Sequence, residues 1–291
     1  MKRWVLKEKD GVKFFRINPT PNLNLVFTTR IGRIDPSPES GSGGVSEGNY
    51  QSLNLSYNVG DDPKKVDENY TRLKKVLGIT KIFTLKQIHS NRVFYINRDN
   101  INENLEGDGI FTDEKDLAIG VKVADCLPIY IFDNKFKVIG IAHAGWRSTL
   151  AQIGQNLVSA MIQKFSLKAI DLNFVLGPCI EQSCYEVGFE LLSQFFNNMP
   201  GSERFFFQHN RKLYFDLKGL NRSLLRELGL NEITALDYCA KCNSDLFYSV
   251  RRDTTTGRNL GLIWRSTQPF LNLASGKGRA GSTPKMRPRD N

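Results

Sequence analysis

Three β-type runs follow one another at residues 117–123, 128–132 and 137–142 with no helical pattern between them, and that succession restricts the folds open to the chain. Further runs of the same kind lie at 23–28, 92–96, 172–176 and 260–264. Helical patterns interrupt them irregularly. Asp62 followed by Pro63 reads as the cap and first residue of a helix, with Val66, Tyr70, Leu73 and Leu77 on one face and Gly78 as its stop. A second helix is expected over 149–165, capped by Ser148 or Thr149, with Ile153, Leu157 and Met161 turned inward. Two more are expected at 188–197 and 217–228, the latter stopped by Gly229. Strands and helices mixed without regular alternation imply an α/β (α+β) sandwich with mixed sheets, not a doubly wound parallel sheet.

With 291 residues, 40% of them hydrophobic, the chain can bury a large core. Its formal charge of +10 suggests nucleic acid until the charges are located. Lys277, Arg279, Lys285, Arg287 and Arg289 against Asp290 put +4 in the last residues, leaving +6 over 1–273 with both signs interspersed. No basic helix or aromatic-basic repeat stands out, so no nucleic-acid partner is expected. The N-terminus lacks an apolar core of the secretory kind, and no uncharged apolar run approaches the roughly 18 residues of a membrane span. A cytoplasmic protein without a membrane partner is the expectation. Five cysteines, an odd number without a small-domain disulfide pattern, fit a reducing compartment. Residues 32–48 read as a polar Gly/Pro loop too short to link domains. The expected organisation is one catalytic domain over 1–273, monomeric or homodimeric, with a basic Gly/Ser/Pro-rich tail at 274–291 that should be disordered.

Only three histidines occur, and two of them bracket a cysteine within unusual hydrophobic segments: His89 after Gln87-Ile88, Cys126 within Ala124-Asp125-Cys126-Leu127-Pro128, and His143 ahead of Ala144-Gly145-Trp146-Arg147. Such a set supplies three of the four ligands of a tetrahedral zinc and leaves one position open. Taken singly, Cys126 reads as a small buried residue and His143 as a satisfied core histidine. Three of them in Gly- or Pro-punctuated turns weigh toward function. Arg147, at the mouth of the helix expected after Ser148, could hold an anion or form a surface ion pair. Cys239-Ala240-Lys241-Cys242 invites a zinc-ribbon reading, but the spacing of Cys179 and Cys184 is wrong for a second pair. His209 reads as surface, and Arg251-Arg252-Asp253 with Thr256-Gly257-Arg258 as a charged turn that is either an ion-pair network or a ligand border.

Several ordered motifs resemble the purine nucleoside phosphorylase YfiH/LACC1 family, formerly the laccase-domain or multicopper polyphenol oxidase family. They are Gln87-Ile88-His89, Gly107-Asp108-Gly109, Ala124-Asp125-Cys126-Leu127-Pro128, His143-Ala144-Gly145-Trp146-Arg147, Gly177-Pro178 with Cys184-Tyr185-Glu186-Val187, and the Arg251 to Arg258 turn. The resemblance spans about residues 23–264. It implies a four-layer α/β/β/α sandwich, and it implies that His89, Cys126 and His143 are catalytic residues that bind zinc. The implied activity is phosphorolysis of adenosine, inosine, guanosine and methylthioadenosine, with adenosine deamination at the same site. One departure is an insertion that splits the family's Thr-Arg-x-Gly-Gly-Val-Ser turn into Thr29-Arg30-Ile31-Gly32 and Gly43-Gly44-Val45-Ser46. Arg30 beside it joins Arg147 and Asp125 as a candidate for substrate binding.

The older oxidase label fails on ligand count, since multicopper oxidation consumes about ten imidazoles. A single copper on two histidines and a cysteine would still lack an evident axial methionine, so zinc is expected in preference to copper. The expected mechanism has the metal activate or orient an oxygen nucleophile: water at the purine C6 for deamination, or phosphate, held by Arg147, at the ribose C1′. Asp125 is expected to carry a proton or to fix a histidine tautomer. Two rivals are a cysteine hydrolase using a Cys126/His143 pair, and a nonenzymatic metal- or nucleotide-binding module.

Overall fold

The computed structural model describes residues 3–32 and 43–268, so the tail from 274 and most of the inserted loop lie outside the described residues. One six-stranded sheet runs in the order Val5–Lys9 (β1), Val12–Thr20 (β2), Leu23–Gly32 (β3), Asn259–Arg265 (β15), Leu117–Val123 (β7) and Lys81–Thr84 (β4). The other runs Asn231–Ala235 (β14), Leu172–Leu176 (β10), Leu127–Asp133 (β8), Ile139–Ala144 (β9), Gly109–Thr112 (β6) and Val93–Tyr95 (β5). A small third sheet joins Glu186–Val187 (β11), Lys212–Phe215 (β13) and Phe206–His209 (β12). Parallel pairing of β4 with β7, β5 with β6 and β10 with β14 makes both large sheets mixed.

Side-chain parity stacks the layers. Leu25 and Phe27 of β3 and Ile263 of β15 meet Tyr130, Phe132, Ile139 and Ile141 of β8 and β9 between the sheets. The opposite faces of the same strands, Val26, Leu260, Leu262 and Trp264, pack on Leu73, Val76 and Leu77 of the helix Pro63–Leu77 (α1). On the far side, Leu127, Ile129 and Ala142 pack on Leu157 and Met161 of the helix Ile153–Phe165 (α3) and on Leu225 of the helix Leu217–Glu227. This is the expected four-layer α/β/β/α sandwich. Tyr130 donates its hydroxyl to the Val26 carbonyl at 2.9 Å, fixing one sheet against the other. Among the described residues no helix is long and apolar enough to cross a membrane.

Local signals account for most boundaries. Asp62 caps α1 by accepting from the Lys64 amide, and Gly78 ends it at φ 62°. Two expectations need correction. The helix expected to run unbroken over 149–165 is two: Trp146–Leu150 (α2) and α3, separated where Gln152 turns left-handed at φ 64°. The cap is neither Ser148 nor Thr149 but Gly145. Ser148 sits three residues inside, where its Oγ accepts from the Gly145 amide at 2.9 Å and donates to the His143 carbonyl at 2.9 Å. That bond ties the end of β9 to the turn leaving it.

Candidate metal centre and active-site cavity

Each of the three expected ligands stands where a strand gives way to a turn. Cys126 precedes β8, His143 is the penultimate residue of β9, and His89 follows β4 in a loop at φ 57°. That loop is held by Gln87, whose side chain pairs with β7 as a strand would: it donates to the Lys122 carbonyl and accepts from the Lys122 amide, both at 2.8 Å. The Cys126 Sγ and His89 Nε2 atoms are 4.0 Å apart, and the two imidazoles cross at 71° with centroids 4.8 Å apart. All three ligand atoms lie within 4.8 Å of one another. A tetrahedral zinc holds nitrogen and sulfur donors about 3.5 Å apart, so a small closure completes the geometry. The donor set therefore fits zinc.

Asp108 fixes this arrangement, and it was absent from the residues singled out for the site. Fully buried, it bonds to His143 Nδ1 at 2.8 Å, which leaves Nε2 as the ligand nitrogen. The same carboxylate accepts from the backbone amides of Ile88, His89 and Ser90 and from the Ser90 hydroxyl. One side chain thus sets the tautomer of one histidine and the loop that carries the other. Burial works against its charge, but His143 and Ser90 outweigh that and hold the carboxyl below its usual range. The role foreseen for Asp125 in fixing a tautomer belongs to Asp108. Asp125, at φ 87°, instead accepts from the Ser249 hydroxyl at 2.6 Å and the Arg251 amide at 2.8 Å, anchoring the short helix Val250–Asp253 while it lines the cavity.

Charge in the centre follows from the same contacts. Burial alone would push the Cys126 thiol up, yet the His143 and His89 imidazoles outweigh it and bring the thiol down to about 6. Burial opposes charge on His143 too, but the Cys126 sulfur and the Asp108 carboxylate raise it to about 9. Without metal, these mutual effects favour a Cys126 thiolate beside a His143 imidazolium. Alkylation of Cys126 by iodoacetamide in metal-stripped protein should therefore rise with pH around a midpoint near 6, against about 8.5 for an ordinary thiol. Peptide mapping across a pH series measures it, and zinc should protect the residue.

The centre opens into a cavity of about 420 Å3. Trp146, Ile180, Tyr185 and Val250 give it apolar walls, and Lys122, Arg251 and Arg258 give it positive charge. Gly145 closes one side: a Cβ there would come within 3.0 Å of both Cys126 Sγ and His89 Cδ2. The remaining expected residues lie apart. Arg147 is exposed, is not among the lining residues, and stacks its guanidinium 4.1 Å over the Trp146 ring. Arg30 ties loops together, donating to the Gln51 carbonyl at 3.1 Å and lying 4.9 Å over the Tyr248 ring. His209 is exposed on β12, so only two imidazoles serve the centre. The cysteine pair set aside on spacing has company: Cys184 lies with Cys239 and Cys242, all sulfurs within 4.8 Å. A parallel bridge between Cys179 and Cys239 brings those distant segments side by side.

A family model described as Multi-copper polyphenol oxidoreductase laccase matches residues 39–266. The chain belongs to this family. A purine nucleoside phosphorylase of Deinococcus radiodurans is 34% identical over 248 residues, covering 84% of this chain and 90% of the relative. Purine nucleoside phosphorylase YfiH of Escherichia coli is 32% identical over 223 residues, covering 76% and 90%. A crystal structure of a Neisseria meningitidis protein superposes with a TM-score of 0.75 at 30% identity, covering 90% of this chain and 99% of that one. The family's oxidase description and its members' phosphorylase names part company here. With His209 out on β12, the donors gathered at this centre are two imidazoles and one thiol, too few for a multicopper assembly.

Proposed function

We propose that this protein is a zinc-dependent purine nucleoside phosphorylase acting on adenosine, inosine, guanosine and methylthioadenosine, and that it also deaminates adenosine in the same cavity. The observation that carries the phosphorolysis is a pair of half-buried cations, Lys122 and Arg258, lining the cavity that holds His89, Cys126 and His143. Among the described residues, Lys122 Nζ donates only to Thr84 Oγ1 and the Leu85 carbonyl, and Arg258 Nη1 only to the carbonyls of Thr256 and Gly257. Neither has a carboxylate within ion-pair distance among the described residues. Such cations are stabilised by an anion that the substrate brings. Phosphate supplies it, and the cavity's volume lies in the range that encloses a small ligand.

In this reading Lys122 and Arg258 hold phosphate beside the ribose while Trp146 and Tyr185 flank the purine. A phosphate oxygen forms the bond to C1′ as the C1′–N9 bond breaks, its electron pair leaves with the base, and a proton neutralises the departing purine. Zinc on His89, Cys126 and His143 would polarise an oxygen in the cavity and lower its pKa. Asp108 keeps His143 presenting Nε2, and Asp125 sets the backbone from which Arg251 reaches the cavity wall. The phosphate role once given to Arg147 passes to Lys122 and Arg258. Arg147→Lys should leave the KM for phosphate within about 2-fold, because surface substitutions away from such contacts cost little.

The deciding measurement supplies inosine to zinc-loaded protein with and without phosphate. Hypoxanthine and ribose 1-phosphate should appear in equal amounts, and only when phosphate is present. Hypoxanthine released without phosphate would mean hydrolysis instead. Adenosine deamination should proceed without phosphate. A pH dependence follows from Lys122, whose ammonium is brought down to about 8 by burial. Its charge is present below that pH and lost above it, so the KM for phosphate should climb as pH passes 8. Lys122→Arg should flatten the climb, since a guanidinium stays charged.

A cysteine hydrolase with Cys126 as nucleophile and His143 as base is the second reading, favoured by the thiolate–imidazolium pair. It needs no contribution from His89, and that separates the two.

A further inference from the structure

We propose that Cys184, Cys239 and Cys242 form a second metal site, a three-thiolate centre for a zinc-class ion that pins the wall of the active-site cavity. The three residues come from segments far apart in sequence, yet their sulfurs lie within 4.8 Å of one another and Cys184 Sγ is 3.0 Å from Cys242 Sγ. Tetrahedral zinc spaces its thiolates about 3.8 Å apart, so the cluster closes on an ion with shifts of about an ångström or less. Three soft donors and no imidazole or carboxylate select zinc, cadmium or monovalent copper over magnesium or calcium.

The surroundings are those of a thiolate ligand turn. Cys239 and Cys242 span a two-residue turn, the spacing at which one loop offers two sulfurs to one ion. The buried Cys239 sulfur accepts from the Glu181 amide at 3.5 Å and from the backbone of Cys242. Arg252 holds the turn from outside, donating to the carbonyls of Ala240 at 3.1 Å and Lys241 at 3.0 Å. These contacts do not involve metal, so the loop keeps its shape without it. Cys242 is exposed, which leaves the fourth position to solvent.

The site has a reason to exist. Cys184 directly precedes Tyr185, whose ring lines the cavity and carries the Arg251 guanidinium 4.8 Å above it. An ion joining Cys184 to the 239–242 turn therefore fixes one cavity wall to the segment leading into Arg251.

Full-length Cys126→Ser protein, stripped and titrated with cadmium, tests the proposal without relying on the catalytic centre. One equivalent should bind with ultraviolet thiolate-to-cadmium charge transfer, lost on adding Cys184→Ser or Cys242→Ser and kept with Cys179→Ser. Absence of that absorption in the Cys126→Ser protein overturns the site, as does its survival in the Cys184→Ser, Cys242→Ser combination. Mapping iodoacetamide labelling in the wild-type chain gives the same reading without these substitutions: cadmium should protect Cys184 and Cys242 together. A Cys184–Cys242 disulfide that persists in zinc-loaded protein under non-reducing conditions would replace the metal site with a redox pair. If the catalytic metal centre were misassigned and this one real, zinc content would fall with Cys184→Ser and not with Cys126→Ser.

Discussion

Cys126→Ala and His89→Ala should each yield a folded protein that has lost zinc from this centre and turns over nucleosides on the order of 10³-fold more slowly, the scale of losing a principal electrostatic stabiliser. Folding should survive because His89 stands in a loop and Cys126, half-buried at the edge of the inter-sheet core, loses only its sulfur on truncation to alanine. His89 makes the comparison informative. It lies 4.0 Å from the Cys126 sulfur and adds nothing that a Cys126/His143 hydrolase requires. Metal analysis beside inosine phosphorolysis checks the result. Full zinc and near-normal turnover in His89→Ala would hand the centre to the hydrolase reading.

Asp108→Asn should lower zinc affinity by about 10–100-fold, the usual range for a group that orients a ligand histidine. The amide is nearly isosteric, so the effect is chemical. A carboxylate accepts on both oxygens, as Asp108 does from His143, three backbone amides and Ser90. An amide directs an NH2 group at donors on one side, and the His89 loop or the His143 ring must give way. Competition with a chelator of known affinity measures the shift. An unchanged affinity would show that β9 and the loop position the ligands unaided. Melting temperature should fall as well, because the polar cluster is buried.

How much of this could be read from residue order depends on how local each signal was. The gathering of His89, Cys126 and His143 was legible because histidine is rare in this chain and each of the three sits beside turn residues. Asp108 stood in Gly107-Asp108-Gly109, one of the motifs that carry the resemblance, but nothing in residue order gave its carboxylate a role. The flanking glycines have their own reason, since a Cβ at Gly107 or Gly109 would press into Phe94 or Val93 at 2.8 Å. Lys122 could have been found as the lone cation in the apolar strand LAIGVKV. Strand β2 escaped because its apolar residues change phase midway: Val12 and Phe14 turn toward α1 while Phe15 and Ile17 turn toward the second sheet, which interrupts the alternation. The start of α2 was misplaced because its cap is a glycine, which carries no side-chain oxygen. The gathering of Cys184 with Cys239 and Cys242 depends on a bridge between segments some sixty residues apart, beyond any local pattern.

Gly145 gives a way to sort proteins that share this architecture. A single methyl there would wedge between the sulfur of one ligand and the imidazole of another, while the sandwich beneath would scarcely register it. A chain could therefore keep every layer of the fold, and all three ligand residues, and still be unable to close them on an ion. Shape alone will count such a chain as kin; the residue after the β9 strand tells whether it retains the means to work.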